Sequence, residues 1–386
     1  MREQASSKLP RIVIAGQIPP PIGGQNICVR RLLELLRAEP GLVCEHLRFG
    51  FTRQWSSARK FTFPKLGELG QVVARLLRLR AKGRIDGLVY PIGGPHYGAI
   101  ARDLLLLPWV RGCSDRVLLH FHAAGIAEKL QISPPWLRWM VARGYQRLVD
   151  EALVLTEFGR RDAEALGIKK ILVLPNAVPA SEAAVPDREP PASPVLLSVG
   201  HLCRDKGTPE LLQAFSRVAS RHTEVRLMLV GEPIFPYTTA LLEADIRATG
   251  CAVRIEWRGM QDGAELAEAY QCADLFVFSS VAPYESFGLV MVEAMQWKLP
   301  LVITDWRANR SVATSSFGGV VAEKPQGRLA DSLEEAIEEA LSHSDQWPQW
   351  GIENRRIYEA RYHFDSYRER VLGLFMEKEG EGTATG

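Results

Sequence analysis

The chain has 386 residues, 46% of them apolar and 24% charged, with a formal net charge of +2. That length is long for one core and suits two domains. The composition is that of an ordinary globular protein, and no apolar run reaches the roughly 18 residues that a membrane span requires.

Six cysteines, at 28, 44, 113, 203, 251 and 272, show no paired spacing for zinc or redox work. Residues 1–8 lack the apolar core of a signal peptide. A reduced, cytoplasmic setting is therefore expected.

In chain order, apolar runs at 11–16, 87–90, 116–121, 152–156 and 171–174 predict strands, separated by helical patterns such as 29–37 and 136–149. Charge is uneven, net +13 through Val178 and −11 beyond it. Residues 51–84 carry nine Lys or Arg against Glu68 alone, interleaved with apolar residues such as Phe61, Leu69, Val72 and Leu76. Such a basic amphipathic segment suits an anionic membrane surface, where each cation contributes about 1 kcal/mol. The plainer alternative packs its leucines on its own sheet. Nucleic acid is not expected, because the aromatic residues form no stacking platform.

The proline-rich stretch 179–194 reads as a connector. Beyond it the rhythm resumes, with strands predicted at 195–199, 225–230, 253–257, 275–278 and 301–304. Alternation of this kind implies parallel sheets with helices on both faces. The expected fold class is α/β, with two doubly wound Rossmann-like domains at 1–178 and 195–346 and a ligand in the cleft between them. Residues 347–376 are helical in pattern, and 377–386 are expected to be disordered.

The most informative stretch is 282–295, Ala-Pro-Tyr-Glu-Ser-Phe-Gly-Leu-Val-Met-Val-Glu-Ala-Met. It follows a buried strand and switches to helical spacing near Phe287 or Gly288. The first amides of that helix have no partner within it and offer a site for a phosphate or a hydroxyl-rich ligand. Glycine at 288 permits close approach of a ligand to the backbone. Glu285 and Glu293, eight positions apart, would stand about 12 Å apart on continuous helix. That is too far for a paired-carboxylate hydrolase and suits acceptors for hydroxyls on two separate rings. Taken alone, the two glutamates read equally well as a loop residue and a solvated helix position.

Here the chain resembles glycosyltransferase family 4, the retaining enzymes of the glycosyltransferase B fold. Tyr284 through Leu289, Glu293 through Met295, and Leu299 through Asp305 are similar to its signature. A second match is Leu196-Leu197-Ser198-Val199-Gly200, followed by His201 through Gly207. A third is Pro20-Pro21-Ile22-Gly23-Gly24-Gln25 after the opening strand. The resemblance implies a nucleotide-sugar donor, UDP- or GDP-linked, and terminal helices from residue 347 that pack toward the first domain. It also implies an acceptor that is a glycan or a lipid-linked glycan, in bacterial surface polysaccharide or lipopolysaccharide assembly at the inner face of the plasma membrane.

By the same resemblance, Lys206 and Arg204 neutralise the donor diphosphate, Glu285 holds donor-sugar hydroxyls, and Glu293 holds ribose hydroxyls. Ser286, Phe287, Gly288 and Leu289 contact sugar or phosphate. Gly200, Gly231, Arg258 and Gly259 line the nucleotide, Gly23 and Gly24 face its phosphates, and His122 stands near the sugar, with His120 as the fallback. No cofactor is implied, and no metal is expected because no Asp-x-Asp pair is present. Lys298, Ala177 and Ser311 depart from the family pattern, where glycine, glycine and glutamate are usual. Arg307 and Arg310 would then reshape the donor pocket. Two other readings stay open: a nucleotide-sugar epimerase of the same fold, and a non-catalytic sugar-nucleotide-binding partner in a glycan assembly complex.

Overall fold

A computed structural model describes residues 9–20, 23–49, 63–323 and 327–376. The chain divides into two compact units, one formed by Met1–Leu174 with Tyr367–Gly386 and the other by Pro175–Ser366.

The first unit holds a six-stranded sheet of β1 (Arg11–Gly16), β2 (Val43–Arg48), β3 (Gly87–Pro91), β4 (Val117–His120), β5 (Glu151–Val154) and β6 (Lys170–Val173). All pairs are parallel, in the order β2-β1-β3-β4-β5-β6. Strands β3, β4 and β5 are buried along their whole length, which explains their mainly apolar sequences, and Glu151 at the start of β5 is paired with Arg116 and Lys170. On one face, Val13, Ala15, Leu88, Tyr90, Val117 and Leu119 pack with Leu76, Leu107, Val110, Val141 and Tyr145. That face is therefore covered by the helices Phe63–Ala81, Tyr97–Cys113 and Pro135–Leu148. Near the amino-terminal ends of the strands, Arg116 donates to Leu374 O, and Phe375 lies 3.6 Å from where a side chain at Gly87 would begin.

The second unit repeats the plan with β7 (Val195–Val199), β8 (Arg226–Val230), β9 (Ile255–Trp257), β10 (Leu275–Phe278), β11 (Leu301–Thr304) and β12 (Gly319–Ala322). Its parallel order is β12-β11-β10-β7-β8-β9. Each unit is thus a doubly wound α/β layer structure, as the alternation of predicted strands and helices implied.

Three expectations need correction. Strands β2 and β12 were not anticipated: β2 carries Glu45, His46 and Arg48 on a half-exposed edge, and β12 is four residues long. Both lie at sheet margins, where apolar content is lowest. The connector 179–194, set apart from both domains in the sequence reading, belongs to the second unit. Arg188 donates to the carbonyls of Trp297, Tyr270 (2.9 Å) and Ala273, while Lys298 pairs with Asp187 and Gln271 donates to Ala184 O, so the stretch is bound onto the second unit. The boundary read at Trp347 falls inside that unit as well. The helix Trp347–Ile357 and the π-helical turn Tyr358–Tyr362 pack there through Asn354, Tyr358 and Tyr362, and only from Tyr367 does the chain join the first unit.

Candidate active site

The second sheet starts at β7, builds to one side through β8 and β9, and returns on the other side at β10. At such a reversal, loops leaving the carboxyl ends of adjacent strands diverge and open a crevice. Residues 200–207 leave β7 there and residues 279–288 leave β10, so the two family-like segments meet at one point of the fold.

Their contact is close and requires glycine. Gly207 has φ +70, and a Cβ placed on it would sit 2.3 Å from Ser279 O. The loop is stitched to the end of β10 from both sides: Ser279 Oγ donates to Lys206 O at 2.8 Å, and Val281 N donates to Asp205 O at 3.0 Å. This seats the single turn Arg204–Lys206 against the following loop and aims the Lys206 side chain along it.

Lys206 Nζ lies 2.6 Å from Glu285 Oε2, and Ser280 Oγ donates to the same oxygen at 2.6 Å. Glu285 is 7% exposed. Burial pushes its carboxyl up, but the Lys206 charge and the hydrogen bonds from Lys206 and Ser280 more than offset this and hold it below the usual carboxylate value. Ser280 is itself fixed by Thr304, whose hydroxyl donates to Ser280 O at 2.6 Å, and Thr304 Oγ1 accepts from Asn309 Nδ2 at 3.0 Å. Trp306 Nε1 donates to Ala282 O at 2.8 Å. Sequence reasoning did not single out Ser280, Trp306 or Asn309, and Thr304 entered it only within the family-like run 299–305.

Gly288, at φ +72, turns the chain into the helix Leu289–Gln296. A Cβ there would come within 2.9 Å of the Phe278 ring. Phe287 is buried, edge-on to Tyr362 at 5.6 Å, and anchors the turn. Ser286 lies half-buried between Glu285 and this anchor. Glu293 sits on the helix, where the Tyr270 hydroxyl donates to its Oε2 at 2.9 Å. Glu285 precedes the helix, so the separation reckoned for a continuous helix does not describe this pair.

The ends of β7, β8 and β9 are joined at three glycines. Gly200 N donates to Val230 O at 2.9 Å, and Gly231 N donates to Gly259 O at 2.6 Å. The Arg258 guanidinium is engaged by Glu256 Oε1 at 2.7 Å. Arg204 is exposed and is not among the partners of Glu285.

In the first unit, Gly23 is extended and Gly24 opens the helix Gly24–Arg37. Pro21 and Ile22 of the same motif lie outside the described residues, as do residues 51–62 of the basic segment. His120 ends β4, and the His120 and His122 rings stand 4.0 Å apart. Burial drives the His120 imidazole down to about 4. Burial, then the neighbouring His120, holds His122 well below its ordinary value. Both are neutral near pH 7.

Of the departures from the family pattern, Lys298 and Ala177 acquire a physical description, as do Arg307 and Arg310 beside Ser311. Lys298 has φ +54, the left-handed region that glycine occupies without strain. Arg307, at φ +48, stacks its guanidinium 5.6 Å over Trp306, while Arg310 is tied to Asp305 and Glu323. Ala177 is not in that strained region and is buried. Among the described residues, no group of three His, Cys, Asp or Glu side chains is placed to hold a metal.

Residues 182–358 match the family model for glycosyl transferases group 1. Mannosylfructose-phosphate synthase of Agrobacterium fabrum is 35% identical over 28% of this chain and 25% of its own length. The chain spans between about a quarter and a half of the length of the curated relatives it matches. Sucrose-phosphate synthase from Thermosynechococcus elongatus superposes with a TM-score of 0.71 at 18% identity, covering 95% of this chain and 98% of that one. Anabaena HepE in complex with UDP-glucose gives 0.69 at 17% identity, covering 94% and 98%. The fold is that of the GT-B glycosyltransferases.

Proposed function

We propose that the chain is a retaining, metal-independent glycosyltransferase of family 4. It would move a sugar from a UDP- or GDP-linked donor to a glycan or lipid-linked glycan in bacterial surface polysaccharide or lipopolysaccharide assembly. The observation that carries this reading is the Lys206–Glu285–Ser280 cluster at the reversal point of the second sheet. It puts one cation, one carboxylate and the start of the helix Leu289–Gln296 on neighbouring loops, which is what a sugar diphosphate presents partners for. The bound UDP-glucose of the HepE structure, on the same fold, supports the choice of donor class.

In the proposed reaction the bond from the anomeric carbon to the diphosphate oxygen breaks, and the nucleoside diphosphate departs with the electron pair. The acceptor hydroxyl adds on the same face and gives its proton to the departing phosphate. Lys206 and the free helix amides would meet the charge as it develops, a contribution of about 10²- to 10³-fold in rate. Glu285 would hold sugar hydroxyls and Glu293 ribose hydroxyls.

Transfer to water provides a test that needs no acceptor. Wild type should release free sugar from one nucleotide series in the presence of EDTA, with the α-anomer appearing first by proton NMR from an α-linked donor, and Glu285→Ala should not. Release of β-anomer first would overturn retention. No release with any donor, despite saturation-transfer evidence of binding, would favour the non-catalytic sugar-nucleotide partner.

A further inference from the structure

We propose that the outer face of the helices Tyr97–Cys113 and Pro135–Leu148 docks the protein on an anionic lipid surface. This inference concerns where the protein sits, and it stands or falls without the transferase reading.

Trp136 is 65% exposed, Trp139 70% and Met140 47%. With Arg143 and Arg147 they fall at i, i+3, i+4, i+7 and i+11, one stripe of the helix opposite the buried Val141 and Tyr145. The neighbouring helix presents Leu105, 60% exposed, and Trp109, 49% exposed, along its own outer stripe. The two helices cover the same face of the sheet and are in close contact. A side chain added at Gly144 would meet Leu104 at 2.7 Å, and the Tyr97 hydroxyl lies 2.7 Å from Ser133 Oγ. The stripes therefore lie side by side, with Ile132, 77% exposed, at the entry to the second helix.

Buried burial needs do not explain these side chains, because the cores of both helices are already filled by Leu106, Leu107, Val110, Val141 and Tyr145. Indole rings with Arg nearby and no carboxylate among them are the side-chain chemistry of a membrane interface. The helices Phe63–Ala81, Tyr97–Cys113 and Pro135–Leu148, all on this face, hold nine Lys or Arg against Glu68 and Asp103. Asp103 is fully buried and bound to Arg102 and Tyr90. Arg111 is tied to Asp150 and Arg143 donates to Gln146 Oε1, while among the described residues Arg138, Arg143 and Arg147 enter no ion pair.

The charge argues against the other occupants. An isologous dimer would set this face against itself and bring arginine to arginine. A sugar chain is held in concave sites with convergent polar groups beside its stacking rings, whereas this face is the convex outside of two helices. An anionic bilayer supplies what both stripes lack, apolar depth for the indoles and negative charge for the arginines.

The experiment is co-sedimentation of the full chain with phosphatidylcholine vesicles, and with vesicles of phosphatidylcholine and phosphatidylglycerol at about 3:1. It is run without donor at low and physiological salt. Wild type should bind the anionic vesicles, more tightly at low salt, and bind phosphatidylcholine weakly. Arg143→Gln with Arg147→Gln should weaken binding about 30-fold. Trp136→Ser with Trp139→Ser should weaken it by about tenfold or more, with an unchanged far-ultraviolet spectrum and melting temperature. Absence of wild-type binding to anionic vesicles overturns the proposal. So does undiminished binding by the tryptophan variant, or a wild-type chain that self-associates in solution through this face and loses that association in the same variant.

Discussion

Lys206 and Glu285, 79 positions apart in sequence, share a 2.6 Å ion pair beneath the loops at the carboxyl ends of β7 and β10. The carboxylate neutralises the cation in this pair, so a diphosphate that engages Lys206 must draw it away from Glu285 or share it.

Lys206→Ala is therefore expected to act twice. It leaves a buried carboxylate without its counter-charge, costing about 3 kcal/mol of stability, and lowers turnover by about 10²-fold or more. Glu285→Gln keeps the shape and removes the competing charge, so nucleoside diphosphate should bind that variant at least as tightly as wild type while turnover falls. Urea unfolding and isothermal titration read the two effects separately, and weaker diphosphate binding by Glu285→Gln would refute the competition.

Gly207→Ala should cost about 2–4 kcal/mol, because φ +70 strains any side chain and the new methyl group meets Ser279 O at 2.3 Å. The backbone at Ser279 would have to retreat, moving the base of the Glu285 loop. Donor affinity should fall with stability, and a variant as stable as wild type would show that the contact can relax.

Lys298→Gly should do the reverse. Relief of the left-handed strain at φ +54 is worth about 1 kcal/mol, and the exposed pair with Asp187 returns little of it. Lys298→Ala, which keeps the strain, should not share the gain. Melting temperatures of the two variants decide the matter.

His120 sets a pH dependence in the first unit. Its folded value, about 4, lies below the ordinary 6.5, so the unfolded chain takes up the proton first. The stability this group contributes is complete above pH 6.5 and is lost as pH falls from there toward about 4. Glu285, also depressed, adds a loss at more acid pH, as its carboxyl is protonated. In His120→Gln the slope of unfolding free energy between pH 6.5 and 4.5 should flatten, and an unchanged slope would assign it to other groups.

How far the sequence could be read follows from where each residue lies. Strands β3, β4, β5, β10 and β11, buried on both faces, declare themselves by apolar runs, and Gly288 marks its helix start because only a left-handed turn fits there. β2 escapes because an edge strand can afford Glu45 and Arg48. Lys206 and Glu285 are legible as types, but their pairing depends on Gly207 closing against Ser279, a contact across the sheet that no local spacing encodes. For the same reason Thr304 and Asn309, which hold Ser280 from β11 and the turn beyond it, are invisible until β10 and β11 are aligned.

The carboxyl-terminal helix Phe364–Phe375 passes at Tyr367 into the first unit, where Tyr367 and Val371 are buried, Arg368 pairs with Glu39, and Leu374 accepts from Arg116. The second unit is one uninterrupted stretch, and the first is closed by residues made after it. During synthesis the earlier unit thus waits, with the sites for Tyr367 and Val371 unfilled, until the later one has been translated in full. The order in which the two units are written is the reverse of the order in which they can be finished.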